Sequence, residues 1–315
     1  MIQSSRVRQF ANSQSISLET AYQEIVLHYL LNLLHEGELI GRSEDGDSYP
    51  LLFKGGTALR KCFFGSSGRF SEDIDLDAVD KSDFESAIEE LFAGRSPYHG
   101  INFSFSSTRW SDDANENFSG TVHYETPEAA SGTFELQISY RMQPILDPRV
   151  LILQPQSYHK AVEFQAPALW GLDPYEMIAE KIVACNRRQG GSAKDVYDLW
   201  LWSARPFNDD LIRGVTVCKA WSDQRSSNPF DPEAWLAILD PSNFRWEDLN
   251  GLIPKSVEFD KTRICETVRS RLGFLQNATD LEKEVLADQV AHRVRAAFDE
   301  LSQIARDLSE SAIRP

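Results

Sequence analysis

Cysteine is scarce, long apolar runs are missing and positive charge is in short supply, and each shortage removes a class of protein. Four cysteines among 315 residues (Cys62, Cys185, Cys218, Cys265) stand far apart with no Cys-x-x-Cys pair. That argues against a disulfide framework or a zinc site and for the reduced thiols of a cytoplasmic protein. No stretch reaches the ~20 apolar residues of a membrane-spanning helix, and the N-terminal MIQSSRVRQFANSQS lacks the apolar core of a secretory signal. A cytoplasmic location without a membrane partner is therefore expected. Lys and Arg number 32 against 48 Asp and Glu, a net charge of −16. That sign suits solubility and is wrong for a general nucleic-acid binder, which would need a local basic groove. Internal repeats and low-complexity tracts are absent.

What is present divides into two patterns. Residues 17–35 predict an amphipathic helix capped by Ser17, with Leu18, Ile25, Leu27, Leu30, Leu31 and Leu34 on its apolar side. GRSEDGDSYP predicts a polar turn, Leu51–Phe53 a short strand, and DKSDFESAIEELFAG a helix stopped by Gly94. From about 101 to 153 the period drops to two, and INFSFSST, TVHYET, GTFELQISY and RVLILQ predict strands. After roughly residue 165 helical periodicity returns, in DPYEMIAEKIVACNRR, in AKDVYDLWLWSA and in one long amphipathic segment over 280–310. The expected fold is α/β, a mixed sheet with flanking helices over 1–160, followed by a helical domain over 161–315.

The stretch LLFKGGTALRKCFFGSSGRFSEDIDLDAV carries the chemistry. Strand residues two apart share a face, so Asp73, Asp75 and Asp77 point one way while Ile74, Leu76 and Ala78 point into the core. Carboxylates crowded on one face repel, and a hard divalent cation such as Mg²⁺ relieves the conflict. An edge strand using charge against aggregation would look the same. Upstream, Gly55-Gly56 between a strand and a helix lets backbone approach a phosphate, and Thr57 can cap that helix or donate its hydroxyl; a plain tight turn would also use glycines.

Together, Gly55, Gly56, Thr57 and Asp73-Ile74-Asp75-Leu76 resemble the signature of the polymerase-beta-like nucleotidyltransferase superfamily. FKGGTAL…RFSEDIDLD, with Lys54, Arg69, Phe70, Ser71 and Glu72, is similar to the AbiEii/MenT group of nucleotidyltransferase toxins, the toxin halves of type IV-like toxin–antitoxin and abortive-infection pairs. That group also carries a proline-started helix with Glu-Lys and a later Asp-Leu, matched by Asp173-Pro174, Glu180-Lys181, Lys194-Asp195 and Asp198-Leu199. The resemblance implies a polymerase-beta-like nucleotidyltransferase core whose nucleotide cleft the C-terminal helical domain completes. It further implies Mg²⁺ on Asp73 and Asp75, NTP phosphates at Lys54, Gly55, Gly56 and Thr57, and Lys181 as a phosphate-binding cation. Asp195 and Asp198 would orient Lys181 or touch the nucleotide, and Asp77 would play a supporting part.

A third metal carboxylate is expected from the strand TFELQISYR. Its alignment puts Gln137 where the family commonly has an acid; Glu135, two residues earlier on the same face, is the expected substitute. The implied reaction transfers a nucleoside monophosphate from NTP to an acceptor hydroxyl, a tRNA 3′ end in some relatives, and implies an antitoxin encoded nearby. Arg141, Arg149, Lys160, Lys181, Arg187, Arg188 and Lys194 are the cations available to such an acceptor, and Tyr158 and Trp170 the aromatics that would stack on bases. Two other readings stay open: transfer to a protein or small-molecule hydroxyl, and a catalytically idle nucleotide- or partner-binding module.

Overall fold

The computed structural model describes residues 2–41, 51–79, 84–94, 96–111, 117–140, 143–162, 164–223, 228–255, 257 and 259–312, with backbone alone at 107–111 and 161. The turn expected over 41–50 and Arg141 lie largely or wholly outside them. The chain forms two compact units. One comprises Met1–Gln143, Pro148–Gly171 and Gly251–Val257; the other comprises Pro144–Asp147, Leu172–Asn250 and Glu258–Pro315.

The first unit holds helices α1 (Ser4–Gln14), α2 (Leu18–Glu36), α3 (Gly55–Ala58) and α4 (Phe84–Phe92), and strands β1 (Leu51–Lys54), β2 (Asp73–Ala78), β3 (Asn102–Ser111), β4 (Asn117–Glu125), β5 (Ser131–Ser139), β6 (Arg149–Ile152) and β7 (Ala168–Gly171). The strands make one mixed sheet in the order β3-β4-β5-β2-β1-β7-β6, with β5/β2 and β1/β7 parallel and the other pairs antiparallel. Alternation works as expected: Ile74, Leu76, Phe118, Val122, Phe134, Leu136 and Ile138 are fully buried, leaving Asp73, Asp75, Glu135 and Gln137 on the opposite face. β7 corrects the expectation of helix after residue 165. Four residues are too few to display a period, and partners on both sides make the strand.

Helix α2 starts as expected, with Ser17 Oγ accepting from Thr20 N at 2.9 Å, but it is not amphipathic. Every residue from Glu24 to Leu34 is buried, and its polar positions Glu24 and Asn32 find partners inside the unit. Glu24 is held by Lys61 Nζ (3.0 Å) and by the Tyr158 hydroxyl (3.2 Å). Burial by itself would push the Glu24 carboxyl up, and Lys61 and Arg60 hold it below its ordinary range. Tyr158, only 3% exposed, therefore belongs to this cluster and is not a base-stacking surface.

His28 stacks on His159 (4.5 Å) and Phe164 (5.2 Å), and His159 Nδ1 accepts from Gln156 N. Burial, reinforced by the charge of Lys61, pushes His28 down to about 2 and His159 down to about 4. Both stay neutral when folded but bind a proton near pH 6.5 when unfolded, so stability falls as pH drops below about 6.5. For His28 the loss should run at roughly 1.4 kcal/mol per pH unit and end near pH 2; His159, partly exposed and so screened by solvent, adds a smaller share that ends near pH 4. Urea melts at pH 7 and pH 5 should show it, and His28→Phe, which keeps the stack, should flatten the slope.

The second unit is helical: α5 (Pro174–Arg187), α6 (Ala193–Ser203), α7 (Asp209–Ser222), α8 (Pro232–Ile238), α9 (Lys261–Arg271), α10 (Asp280–Ala287) and α11 (Arg295–Ser311), with the two-residue strands β8 (Gly191–Ser192) and β9 (Phe244–Arg245) in parallel. Two of these, α10 and α11, replace the single helix expected over 280–310. The carboxylate of Asp288 accepts from the backbone N–H of Arg293 and Val294 and from Trp221 Nε1, taking donors that a continuous helix would have used. Val290, assigned to the apolar stripe, is 80% exposed in the resulting turn.

Candidate active site

Why Gly55 must be a glycine follows from its backbone and from what stands beside it. Gly55 has φ of +76°, and a Cβ there would collide with Asp75 Oδ2; a Cβ on Gly56 would collide with the Arg69 guanidinium. The turn between β1 and α3 is thus pressed directly against the second acid. Lys54, the last residue of β1, stands in register with Asp75 and pairs with Asp77 Oδ1 at 2.7 Å. Asp77 is buried in that ion pair, whereas Asp73 and Asp75 stand half-buried on the open face. The alternating triplet therefore divides into two outward acids and one anchored acid.

Thr57 neither caps α3 nor faces outward. Fully buried, its hydroxyl donates to the Asp73 carbonyl and lies 2.7 Å from Ser71 Oγ. The hydroxyl instead ties the helix to the first acid's backbone. Thr57→Val leaves a buried carbonyl without its donor and should cost about 1–3 kcal/mol in urea unfolding, whereas Thr57→Ser should cost less.

Strand β5 runs parallel to β2 with Glu135 beside Asp73 and Gln137 beside Asp75. Both are exposed on the face that carries the acids. Among the described residues no three His, Cys, Asp or Glu side chains form a group that could hold a metal ion, so the acids offer a pair. A pair fits Mg²⁺, which one or two carboxylates hold while substrate phosphates and water supply the other oxygens.

In the helical unit, Asp173 caps α5 by accepting from Tyr175 N, with Pro174 in the first turn. Further along the helix, Lys181 Nζ lies 3.0 Å from Asp195 Oδ1 and 2.8 Å from Asp198 Oδ2, both on α6. The three residues expected to act together are thus in contact and buried. Arg188, expected as a cation for the acceptor, is instead a fourth member, its NH1 lying 2.7 Å from Asp195 Oδ2; its nearness to Lys181 in the chain was the available signal for that pairing. Arg187 pairs with Asp223 at 3.3 Å. Three of the cations proposed for nucleic acid therefore already have carboxylate partners.

The class these features define is a nucleotidyltransferase. The chain belongs to the family described as nucleotidyl transferase AbiEii toxin, type IV toxin–antitoxin system, whose model matches residues 38–303. Among solved structures it is similar to MenT4, a nucleotidyltransferase toxin from Mycobacterium tuberculosis, with a TM-score of 0.81 and 26% identity over 97% of this chain and 100% of that one. JHP933 from Helicobacter pylori matches with a TM-score of 0.47 and 18% identity over 90% of this chain and 99% of that one. No curated protein matches the chain. The expected fold class and the resemblance to the AbiEii/MenT group are thereby borne out. Among the described residues, no helix is long and apolar enough to cross a membrane.

Proposed function

We propose that the protein transfers a nucleoside monophosphate from a Mg²⁺-bound NTP to the 3′-terminal hydroxyl of tRNA, arresting growth until a cognate antitoxin restrains it in the cytoplasm. The observation that carries the chemistry is the pair Asp73 and Asp75 on an open sheet face, with the Gly55 turn against Asp75. When bound, Mg²⁺ supplies charge neutralisation along the triphosphate in an in-line displacement. Asp73 and Asp75 are the residues that would hold it. Gly55 and Gly56, which add no side chain of their own beside Asp75 and Arg69, are assigned to the phosphates through their backbone N–H groups, and Lys54 keeps Asp77 neutralised beside them. Thr57 fixes the Asp73 backbone. Glu135, in register with Asp73, is assigned to accept the acceptor's proton.

Lys181 is assigned to the nucleotide's phosphates as a point charge, with Asp195 and Asp198 holding its ammonium in place. Those two acids are positioning residues under this reading. Incubating the protein with labelled NTPs and separate pools of tRNA, protein and small metabolites tests the acceptor. Label is expected on tRNA, at its 3′ end; label confined to protein or metabolites would overturn that assignment while leaving the transfer chemistry standing.

A further inference from the structure

The open sheet face does not end at the acids. Strand register sets its polar side chains in three parallel rows: Asp73, Glu135, Thr121 and Ser106; then Thr133, His123 and Ser104; then Ser131, Glu125 and Asn102. The last two rows line a concavity of about 500 Å³, within the size range of small-ligand sites. All six of its polar residues are exposed, and none is lysine or arginine. His123 is held in place, its Nε2 lying 2.6 Å from Ser106 Oγ in the first row.

We infer that this concavity is an acceptor subsite, for a polar ring unit without phosphate, one position removed from the unit whose hydroxyl reacts. The inference rests on the nucleotidyltransferase reading above and adds to it the size and chemistry of the acceptor. Distance sets the size. His123 is two strand spacings and one row from Asp73, roughly 12 Å by sheet geometry, too far for a ring bound there to present its own hydroxyl to the acids. The acceptor therefore has at least two ring units.

Chemistry sets the class. A carboxylate, an imidazole, an amide and several hydroxyls match the N–H and O–H edges of a base, a ribose or an amino sugar, while phosphate would call for cations. Glu125 is the group that most favours donor-bearing rings, since an ionised carboxylate only accepts. Dinucleotides and two-ring amino sugars share this chemistry, and the test separates them.

Saturation-transfer NMR on the full chain with cytidylyl-(3′,5′)-cytidine and, separately, with neamine reads binding without turnover. Transfer is expected to at least one probe. Glu125→Gln and His123→Ala should each weaken it by about fivefold or more, the scale of one lost hydrogen bond to a charged or oriented group. Response to the dinucleotide alone assigns the subsite to nucleic acid, and response to neamine alone assigns it to an amino sugar. No transfer to either probe, or transfer that survives both substitutions, overturns the subsite. Failure of the underlying reading shows elsewhere, as pyrophosphate release that persists in Asp75→Asn. Both substituted positions are exposed on the sheet surface, and unchanged thermal melting confirms that the variants fold.

Discussion

Asp75→Asn is expected to reduce pyrophosphate release by about 10³-fold or more, some 4 kcal/mol of barrier, while the fold survives. The substitution keeps shape and removes charge at the one acid that both faces outward and abuts the Gly55 turn. An amide is a poor ligand for a hard divalent cation, so the loss should appear in turnover more than in thermal stability. Asp77→Asn is the informative contrast. Its carboxylate is buried against Lys54, so its neutralisation should lower stability and touch turnover far less. Equal losses of turnover from the two substitutions would contradict the division of the triplet into two working acids and one anchored acid. Growth arrest on expression, wild type against Asp75→Asn, carries the same comparison into cells.

The largest stability effect is expected in the helical unit, at Lys219. Its ammonium is fully buried 2.5 Å from Glu176 Oε1 and also contacts Glu180 at 3.0 Å. Burial pushes the Glu176 carboxyl up, while Lys219 and the backbone N–H of Leu146 pull it back. The Glu176 carboxylate also accepts from Ile145 N. Lys219→Met removes the cation and leaves the carboxylate enclosed, which should cost about 3–5 kcal/mol. Adding Glu176→Gln should return part of that loss, because a neutral amide oxygen still accepts from Ile145 and Leu146 without needing a countercharge. A double-mutant cycle in urea measures both; a single-mutant loss below about 1 kcal/mol, the scale of a surface pair, would sink the argument.

The half of the candidate site around Gly55 and Asp75 is legible as a local arrangement because its residues are adjacent in the chain and obey a period. Alternation placed Asp73 and Asp75 on one face, and the glycine pair followed from the strand-to-helix turn. Asp77 and Thr57 show the limit: both match the local pattern, yet Lys54 and the Asp73 carbonyl, brought close only by the sheet, decide what they do. The third-carboxylate question is sharpened by register, since Glu135 pairs with Asp73 and Gln137 with Asp75, a relation across strands that no single stretch encodes. The break between α10 and α11 was illegible for a related reason, because apolar spacing continues through it while one carboxylate captures the backbone. The buried cluster of Glu24, Lys61 and Tyr158 joins residues more than 130 positions apart, and none of them looked unusual alone.

All four thiols are buried and free, and burial pushes every one of them up, Cys218 to about 12 and Cys265 to about 11. A folded chain of this kind is nearly silent toward maleimides, since the thiolate is the reactive form. A single cysteine introduced at an exposed position, such as Thr133, would therefore be the sole fast-labelling group without any background removal. A fluorophore there would test for acceptor arrival at the proposed subsite in real time, with the four native thiols left in place.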